Sequence, residues 1–115
     1  MGSKFWAKAT ADAFGMLQQK ESGEVAKPAW WNDEGLKALS ARVVRAAPND
    51  LSAIRMRAIV LRGQCAVWEA VPRSAVELKK AAVHFERLVV LCNAPAQKAH
   101  FAGDADCCRR QAGAT

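Results

Sequence analysis

The sequence of 115 residues predicts an all-α protein of antiparallel helix hairpins, arranged as a short α-solenoid or as a helical bundle of about five helices. Three observations carry this prediction. Every long segment places its apolar residues at the spacings of three and four that are typical of a helix. Ala, Leu, Arg and Lys, which favour helix, dominate the composition. Strand signals are missing, since Thr occurs twice, Tyr never, and no alternation of apolar and polar residues survives four positions.

The first helix is predicted over about residues 3–20, with Ser3 suited to the N-cap. Its predicted buried stripe consists of Phe5, Trp6, Ala9, Ala13, Met16 and Leu17. The stretch 21–31 contains Ser22-Gly23 and Pro28 and is expected to form a loop or linker. We therefore divide the chain into an N-terminal helix with its linker, residues 1–31, and a helical repeat domain, residues 32–115.

The second helix is predicted to begin near Asn32 or Asp33 and to end at Pro48. Its predicted buried stripe is Leu36, Leu39, Val43 and Ala47. After a short Pro48-Asn49-Asp50 turn, Asp50 is expected to cap the third helix. The third helix is predicted to run through Trp68, because a 4-3-4-3 apolar pattern continues that far, over Ile54, Ala58, Leu61, Cys65 and Trp68.

The fourth helix has the clearest start in the chain. Pro72 marks the turn before it, and Ser74 with Glu77 has the spacing of a capping box. Its predicted buried stripe is Leu78, Ala81, Phe85, Leu88 and Cys92. Asn93-Ala94-Pro95 is expected to end it. A fifth helix is predicted over about residues 96–111, weakened by Gly103, with one apolar face of Phe101, Ala105, Cys108 and Ala112.

The pattern helix, proline turn, helix occurs twice. Placing Pro48 over Pro95, an offset of 47 residues, aligns the apolar positions of the third helix with those of the fifth. On the other side of the turn, an offset of 49 residues aligns the second helix with the fourth. A period in the forties built of antiparallel helix pairs is typical of an α-solenoid.

The stretch 47–54, Ala47-Pro48-Asn49-Asp50-Leu51-Ser52-Ala53-Ile54, resembles the junction between tetratricopeptide repeats. In that family a Pro-Asn-rich turn leads into a helix with a large residue, a small one four positions later and a large one three positions after that. Ile54, Ala58 and Leu61 fill those places, and the resemblance extends over about residues 36–112. A plain four- or five-helix bundle with proline turns stays open as the alternative.

The resemblance implies that the first helix of each pair lines a concave groove for a peptide or protein segment. Counted from Pro48, the groove-facing positions are Ser52, Arg55, Ile59 and Arg62. Arg55 and Arg62 are seven residues apart and share a helix face, so two guanidinium groups could grip a carboxylate. Ile59 stands where family members that clamp a C-terminal carboxylate use an asparagine, so such a clamp is incomplete. The alternative for these arginines is a solvated basic flank.

Two adjacent tryptophans, Trp30 and Trp31, precede the second helix. They either pack under the helices and staple the entry of the second helix, or serve as an anchor in a pocket of a partner. Phe5, Trp6 and Phe14 of the first helix are also candidates for docking on another subunit.

The motifs of catalysis and metal binding are missing from the sequence. It contains no Gly-x-Ser-x-Gly element, phosphate loop or paired carboxylates. Cys92, His100, Cys107 and Cys108 are the candidate zinc ligands, but adjacent cysteines on a helix point about 100° apart and do not easily chelate one ion. We therefore expect no enzymatic activity, no metal and no cofactor.

Charge and targeting signals limit which partners and which compartment are expected. The net charge of +6 is spread along the chain, without a run of four like charges. No stretch approaches the roughly 20 apolar residues of a membrane-spanning helix, and the N-terminus lacks the features of a secretory signal. Because three of the four cysteines fall in helical patterns, we expect an intracellular, reducing compartment. An organelle is compatible with this if a transit peptide has been removed.

The predicted function is that of a non-catalytic protein-interaction or assembly subunit of a larger complex. Two repeats' worth of helices are short for a solenoid and leave apolar faces open, so we expect a protein partner, and self-association is compatible with the pattern. The alternative is an RNA-binding or other nucleic-acid-binding helical-repeat protein. It would use the basic face of the second and third helices, formed by Arg42, Arg45, Arg55, Arg57 and Arg62.

Overall fold

The computed structural model describes residues 3–19, 27–63, 68 and 70–114. In these ranges the chain forms five α-helices: α1 (Ser3–Gln19), α2 (Asp33–Ala46), α3 (Leu51–Arg62), α4 (Ala75–Leu91) and α5 (Pro95–Ala114). No strand occurs among the described residues. The predicted all-α class is confirmed.

The central element of the fold is α3. It packs against α1, α2 and α4, and α5 packs on α4. Seven of the twelve residues of α3 are buried, and they cover most of its circumference except the side that carries Arg55 and Arg62. A helix with so wide an apolar surface belongs in a core. The buried side chains of the five helices form one continuous core cluster.

The starts of α2, α3 and α4 follow the predicted capping chemistry, whereas Ser3, the predicted N-cap of the first helix, is already the first residue of α1. Asn32 accepts a hydrogen bond from the third backbone N–H of α2 at 2.8 Å, and Asp50 does the same for α3 at 2.9 Å. Ser74 and Glu77 form the reciprocal capping box at the start of α4, with both bonds at 3.0–3.2 Å. These bonds satisfy backbone donors that the first turn of a helix leaves without a partner.

The buried face of α1 differs from the predicted one. Ala7, Ala11 and Phe14 enter the core, whereas Phe5 is 83 % and Met16 is 64 % exposed. The predicted stripe omitted Phe14, and two more of its members, Trp6 and Ala9, are exposed, whereas Ala13 and Leu17 are half-buried. The short side chains of the two alanines instead let α1 lie against α2 and α3, and the larger residues of the opposite face remain outside.

The prediction that the third helix continues through Trp68 is wrong. The helix ends at Arg62, because Gly63 adopts the left-handed conformation (φ 75°) and its N–H caps the carbonyl of Ile59 at 3.0 Å. Trp68 is buried, but it reaches the core from outside any helix. Cys65, which the same pattern included, lies outside the described residues.

The remaining stripes agree closely with the sequence pattern. Leu39 is partly buried, and the other three members of the α2 stripe are buried. Every predicted core position of α4 and its C-cap is buried, as are Ala105, Cys108 and Ala112 of α5. Phe101 is half-buried and stacks on Phe85, with ring centroids 6.4 Å apart. The fifth helix extends three residues beyond its predicted end, since the exposed Gly103 does not interrupt it.

Candidate functional site

Three of the sequence-predicted site residues line one depression of about 390 Å³. Arg55, Ile59 and Arg62 lie along one side of α3 and form its first wall. The remaining lining comes from the end of α1, from α4 and from the first half of α5, namely Gln18, Phe85, Ala96, Gln97, His100, Phe101 and Asp104. We call this depression the α3–α5 groove.

Arg62 is fixed in the wall of the α3–α5 groove. Its Nη1 donates a hydrogen bond to Asp104 Oδ1 at 3.2 Å, and its guanidinium lies 5.4 Å from the centre of the Phe85 ring. Asp104 also lies 3.4 Å from Nε2 of the exposed His100. Arg62 therefore ties α3 to α5, and its Nε–H donor is buried without a partner among the described residues.

Arg55 differs from Arg62 although it lies on the same helix face. Its side chain is exposed. No carboxylate of the described residues forms an ion pair with it. Ile59, between the two arginines, is only 6 % exposed and forms part of the apolar floor. The groove thus combines an exposed cation with a floor of Ile59, Phe85 and Phe101.

The α5 side of the groove is the part that sequence reasoning missed. The sequence pattern suggests His100 as a candidate zinc ligand and Phe101 as a core residue, and it assigns neither of them, nor Gln97 or Asp104, to the groove. They are more than 30 positions from Arg62 in the chain. No local signal indicates that α5 faces α3 across Phe85, because that placement depends on how α4 packs between them.

Trp30 and Trp31 belong to an aromatic cluster with Phe14 and Trp68. Ring centroids in this cluster are 5.5 Å apart for Phe14 and Trp31, 5.8 Å for the two adjacent tryptophans and 6.1 Å for Trp31 and Trp68. Both Trp30 and Trp31 are half-buried against the core. Neither lines the α3–α5 groove. Tilted and edge-on ring pairs of this kind stabilise packing beyond the area they bury.

A buried ion pair lies next to the aromatic cluster. The Arg73 guanidinium grips Asp33 through Nη1 and Nη2 at 3.0 and 2.6 Å, and Nε1 of Trp68 donates to the same carboxylate at 3.1 Å. Burial by itself would raise the pKa of Asp33. The hydrogen bonds from Arg73 and Trp68, together with the charges of Arg73 and Lys37, outweigh burial and lower that pKa to about 2. The pair is structural, since both side chains are more than nine-tenths buried.

The arginines of α2 and α3 do not form one free basic face. Arg57 donates from Nη1 to the Lys37 carbonyl at 2.9 Å and to Ser40 Oγ at 3.0 Å, and its burial lowers its pKa. The Arg42 guanidinium lies 5.1 Å from the centre of the Trp6 ring. Arg45 and Arg55 are exposed. The sequence pattern does not show which of these arginines bond within the fold and which are exposed.

The described cysteines and histidines do not converge on one site. Cys92 and Cys108 are buried and Cys107 is half-buried, all as free thiols, and burial raises the pKa of Cys108. Among the described side chains, no group of three or more His, Cys, Asp or Glu is placed to hold a metal ion. Within the same ranges, no helix has both the length and the apolar character that crossing a membrane requires.

In comparisons with known proteins, no family model, no curated protein and no solved structure matches this chain. The resemblance to tetratricopeptide repeats therefore stays a prediction, and the argument for function depends on the geometry of the site.

Proposed function

We propose that this chain is a non-catalytic protein-interaction subunit whose α3–α5 groove binds an acidic segment of a partner protein. The observation that carries this proposal is the exposed Arg55 guanidinium above an apolar floor, with no described carboxylate paired to it. A guanidinium takes a carboxylate in two parallel hydrogen bonds. The floor of Ile59, Phe85 and Phe101 suits an apolar side chain next to that carboxylate.

Arg62 supports the proposal by its rigidity. Its contacts with Asp104 and Phe85 hold it in place before any ligand arrives. A site that is ordered in advance loses less conformational entropy on binding. The resemblance to tetratricopeptide repeats points to the same helix as a peptide-binding wall, by reasoning independent of the groove's shape. Gln97, which is exposed at the rim, supplies an amide group that can bond a peptide backbone.

Trp30 and Trp31 are proposed as a second contact. Their rings pack on the core yet remain partly exposed. Tryptophan is enriched at binding hot spots because a large rigid ring buries much area at small entropic cost. In the double change Trp30→Ala with Trp31→Ala, lost partner binding at a temperature where the protein stays folded supports this contact. A change in thermal stability alone assigns the pair to packing.

A nucleic-acid ligand has less support. Of the five arginines that suggest it, Arg57 and Arg62 are engaged within the fold. Arg42 lies against Trp6, which leaves Arg45 and Arg55 on different helices. Binding of a nucleic-acid backbone depends on several phosphate contacts and falls steeply with salt. This dependence separates the two functions in one experiment.

The test compares Arg55→Glu with Arg45→Glu, an exposed arginine on α2 that serves as the matched control. Each protein is used in a pull-down from native extract, with and without nuclease and at low and high salt, and the bound proteins are identified. Peptides covering the acidic segments of a recovered protein are then titrated by fluorescence anisotropy. We expect Arg55→Glu to weaken peptide binding at least about tenfold and Arg45→Glu to leave it unchanged. Equal binding by both variants would refute the groove proposal, and recovery lost to nuclease would favour the nucleic-acid function.

A further inference from the structure

The outward side of α1 exposes two large apolar residues. Phe5 is 83 % and Met16 is 64 % exposed, and Ala9 and Asp12 between them are exposed as well. These four residues, which we call the outer α1 face, follow a 4-3-4 spacing. That spacing keeps them on one line along the helix and is the repeat by which two helices pack against each other. The described part of the chain leaves this face uncovered.

The outer α1 face is complementary to itself when reversed. If a second α1 is laid antiparallel about the midpoint between residues 10 and 11, Phe5 lies opposite the partner's Met16. In the same register, Ala9 lies opposite the partner's Asp12. Each pairing occurs twice, because a two-fold axis relates the copies. A large residue thus meets a large one at both ends, and the small Ala9 leaves room at the centre.

The charges beside this face also fit the antiparallel register. Lys8 and Asp12 pair within one chain at 3.8 Å, with exposures of 60 % and 51 %. In the antiparallel arrangement Lys8 lies beside the partner's Asp12. The four charges therefore alternate in sign and sum to zero. A parallel arrangement would instead bring Lys8 next to the partner's Lys8 and Asp12 next to the partner's Asp12.

We propose that two copies of this chain associate through the outer α1 face in an antiparallel, two-fold symmetric dimer. A depression of about 370 Å³ next to Phe5, lined also by Ala47, Pro48 and Asn49, offers space at each end of the interface. The partner's Met16, which lies opposite Phe5, has a flexible side chain suited to such a space. The outer α1 face shares no residue with the α3–α5 groove, but Arg55 also lines a depression with Asp12 and Met16. The dimer is therefore tested with variants that leave Arg55 unchanged, so that its failure and the failure of the proposed function are distinguishable.

The expected affinity follows from the size of the face. A helix of 17 residues is about 25 Å long, so the buried area falls at the low end of specific interfaces, near about 1,200 Å² in total. We therefore expect a reversible dimer with a dissociation constant in the micromolar range, seen as a concentration-dependent mass in sedimentation equilibrium.

The decisive test is charge complementation between two variants. Lys8→Glu places a carboxylate beside the partner's Asp12, and Asp12→Lys places an ammonium group beside the partner's Lys8. Each variant alone should therefore dimerise at least about tenfold more weakly. In a mixture of the two, every contact between position 8 and position 12 across the interface again joins opposite charges. We expect the mixture to form the heterodimer with nearly wild-type affinity, although each chain keeps like charges within its own α1.

Two further variants locate the interface. Phe5→Ser should abolish the dimer, and Val83→Ala, an exposed valine of α4, is the matched control that should leave it intact. Unchanged helicity by circular dichroism verifies that each variant is folded. A wild-type chain that stays monomeric to about 1 mM, a dimer broken by Val83→Ala but not by Phe5→Ser, or a mixture that fails to restore association would each overturn the proposal. So would binding of monomers to anionic lipid vesicles that Phe5→Ser abolishes.

Discussion

Arg73 connects three segments of the chain, although no sequence pattern predicts this role. Besides the two bonds to Asp33, its guanidinium donates to the Val60 carbonyl at 2.8 Å and to the Val71 carbonyl at 2.7 Å. It thereby joins the start of α2, the last turn of α3 and the segment that enters α4. Removing one partner of a buried pair leaves an uncompensated charge, which is more costly than removing both partners.

Asp33→Asn tests how much the Asp33–Arg73 pair stabilises the fold. The substitution keeps the shape of the side chain but leaves the Arg73 charge without a counterion, so we expect the free energy of unfolding to fall by about 3 kcal/mol. The matched control is Asp106→Asn, which removes an exposed partner of Arg109 and should cost less than about 0.5 kcal/mol. Urea denaturation followed by circular dichroism measures both. Equal effects would show that the buried pair does not stabilise the fold.

The Asp33 carboxylate makes the free energy of unfolding depend on pH in the acidic range. The pKa of Asp33 is about 2 in the folded chain against an ordinary value of 3.8, so the unfolded state binds more protons between these values. The contribution is complete above about pH 4 and is lost as the pH falls through the folded pKa, by about 2 kcal/mol. The pKa of Glu77 is lowered too, because bonds from Lys37 and Ser74 outweigh burial, and it acts in the same direction.

We therefore expect the free energy of unfolding of Asp33→Asn to fall less steeply with decreasing pH than that of the wild type. The difference in unfolding free energy between wild type and variant should shrink as the pH is lowered from about 4 to about 2. Denaturation curves at a series of pH values measure it, with Asp106→Asn as the control that keeps the slope of the wild type. A difference that stays constant with pH would contradict the assignment of the acid dependence to Asp33.

At the scale of the element, the end of α3 decides how the second half of the chain packs. A Cβ at Gly63 would lie 2.5 Å from Nε and 2.7 Å from Cζ of Arg73. The position combines a left-handed backbone with a close approach by the buried guanidinium. Only glycine meets both conditions. The end of this helix and the buried ion pair are thus one structural unit.

Gly63→Ala should lower the free energy of unfolding by about 2 kcal/mol or more, since it strains the backbone and displaces Arg73. Gly103→Ala is the matched control on α5, where a Cβ meets nothing within 4 Å. That change should stabilise the protein by about 0.5–1 kcal/mol, because alanine favours helix. Thermal melting curves would contradict the argument if both substitutions moved the midpoint in the same direction.

At the scale of the whole molecule, α1 shares the core of the other helices. Phe14 is 1 % exposed and packs on Trp31 and Trp68, which lie on two different segments beyond α1. A core that draws on every helix is expected to unfold in a single transition. The N-terminal helix therefore contributes to the stability of residues 32–115.

Phe14→Ala should cost about 3 kcal/mol or more, the usual effect of a large cavity in a core. Phe5→Ala, on the exposed side of the same helix, should change stability by less than about 0.5 kcal/mol at protein concentrations where the chain is monomeric. Tryptophan fluorescence reports the aromatic cluster and circular dichroism reports all five helices. Coincident transitions by both probes are expected, and an early fluorescence transition would show instead that α1 unfolds separately.

Local chemistry is what the sequence predicted best. The caps Asn32 and Asp50, the Ser74–Glu77 box and the α4 stripe all follow from interactions within a few residues, so the sequence alone determined them. The groove was predicted on one side only. Arg55, Ile59 and Arg62 share a helix face by spacing, whereas their opposite wall comes from a distant helix.

Two matters were decided only by tertiary structure, and both for steric reasons. The apolar period of the third helix continues past Gly63, but the left-handed cap ends the helix there and Arg73 occupies the space beside it. The first helix is apolar on two sides, and the short side chains of Ala7 and Ala11 turn inward while Phe5 turns outward. The sequence specifies which residues are apolar. Which of them are buried depends on how closely the helix backbones approach one another.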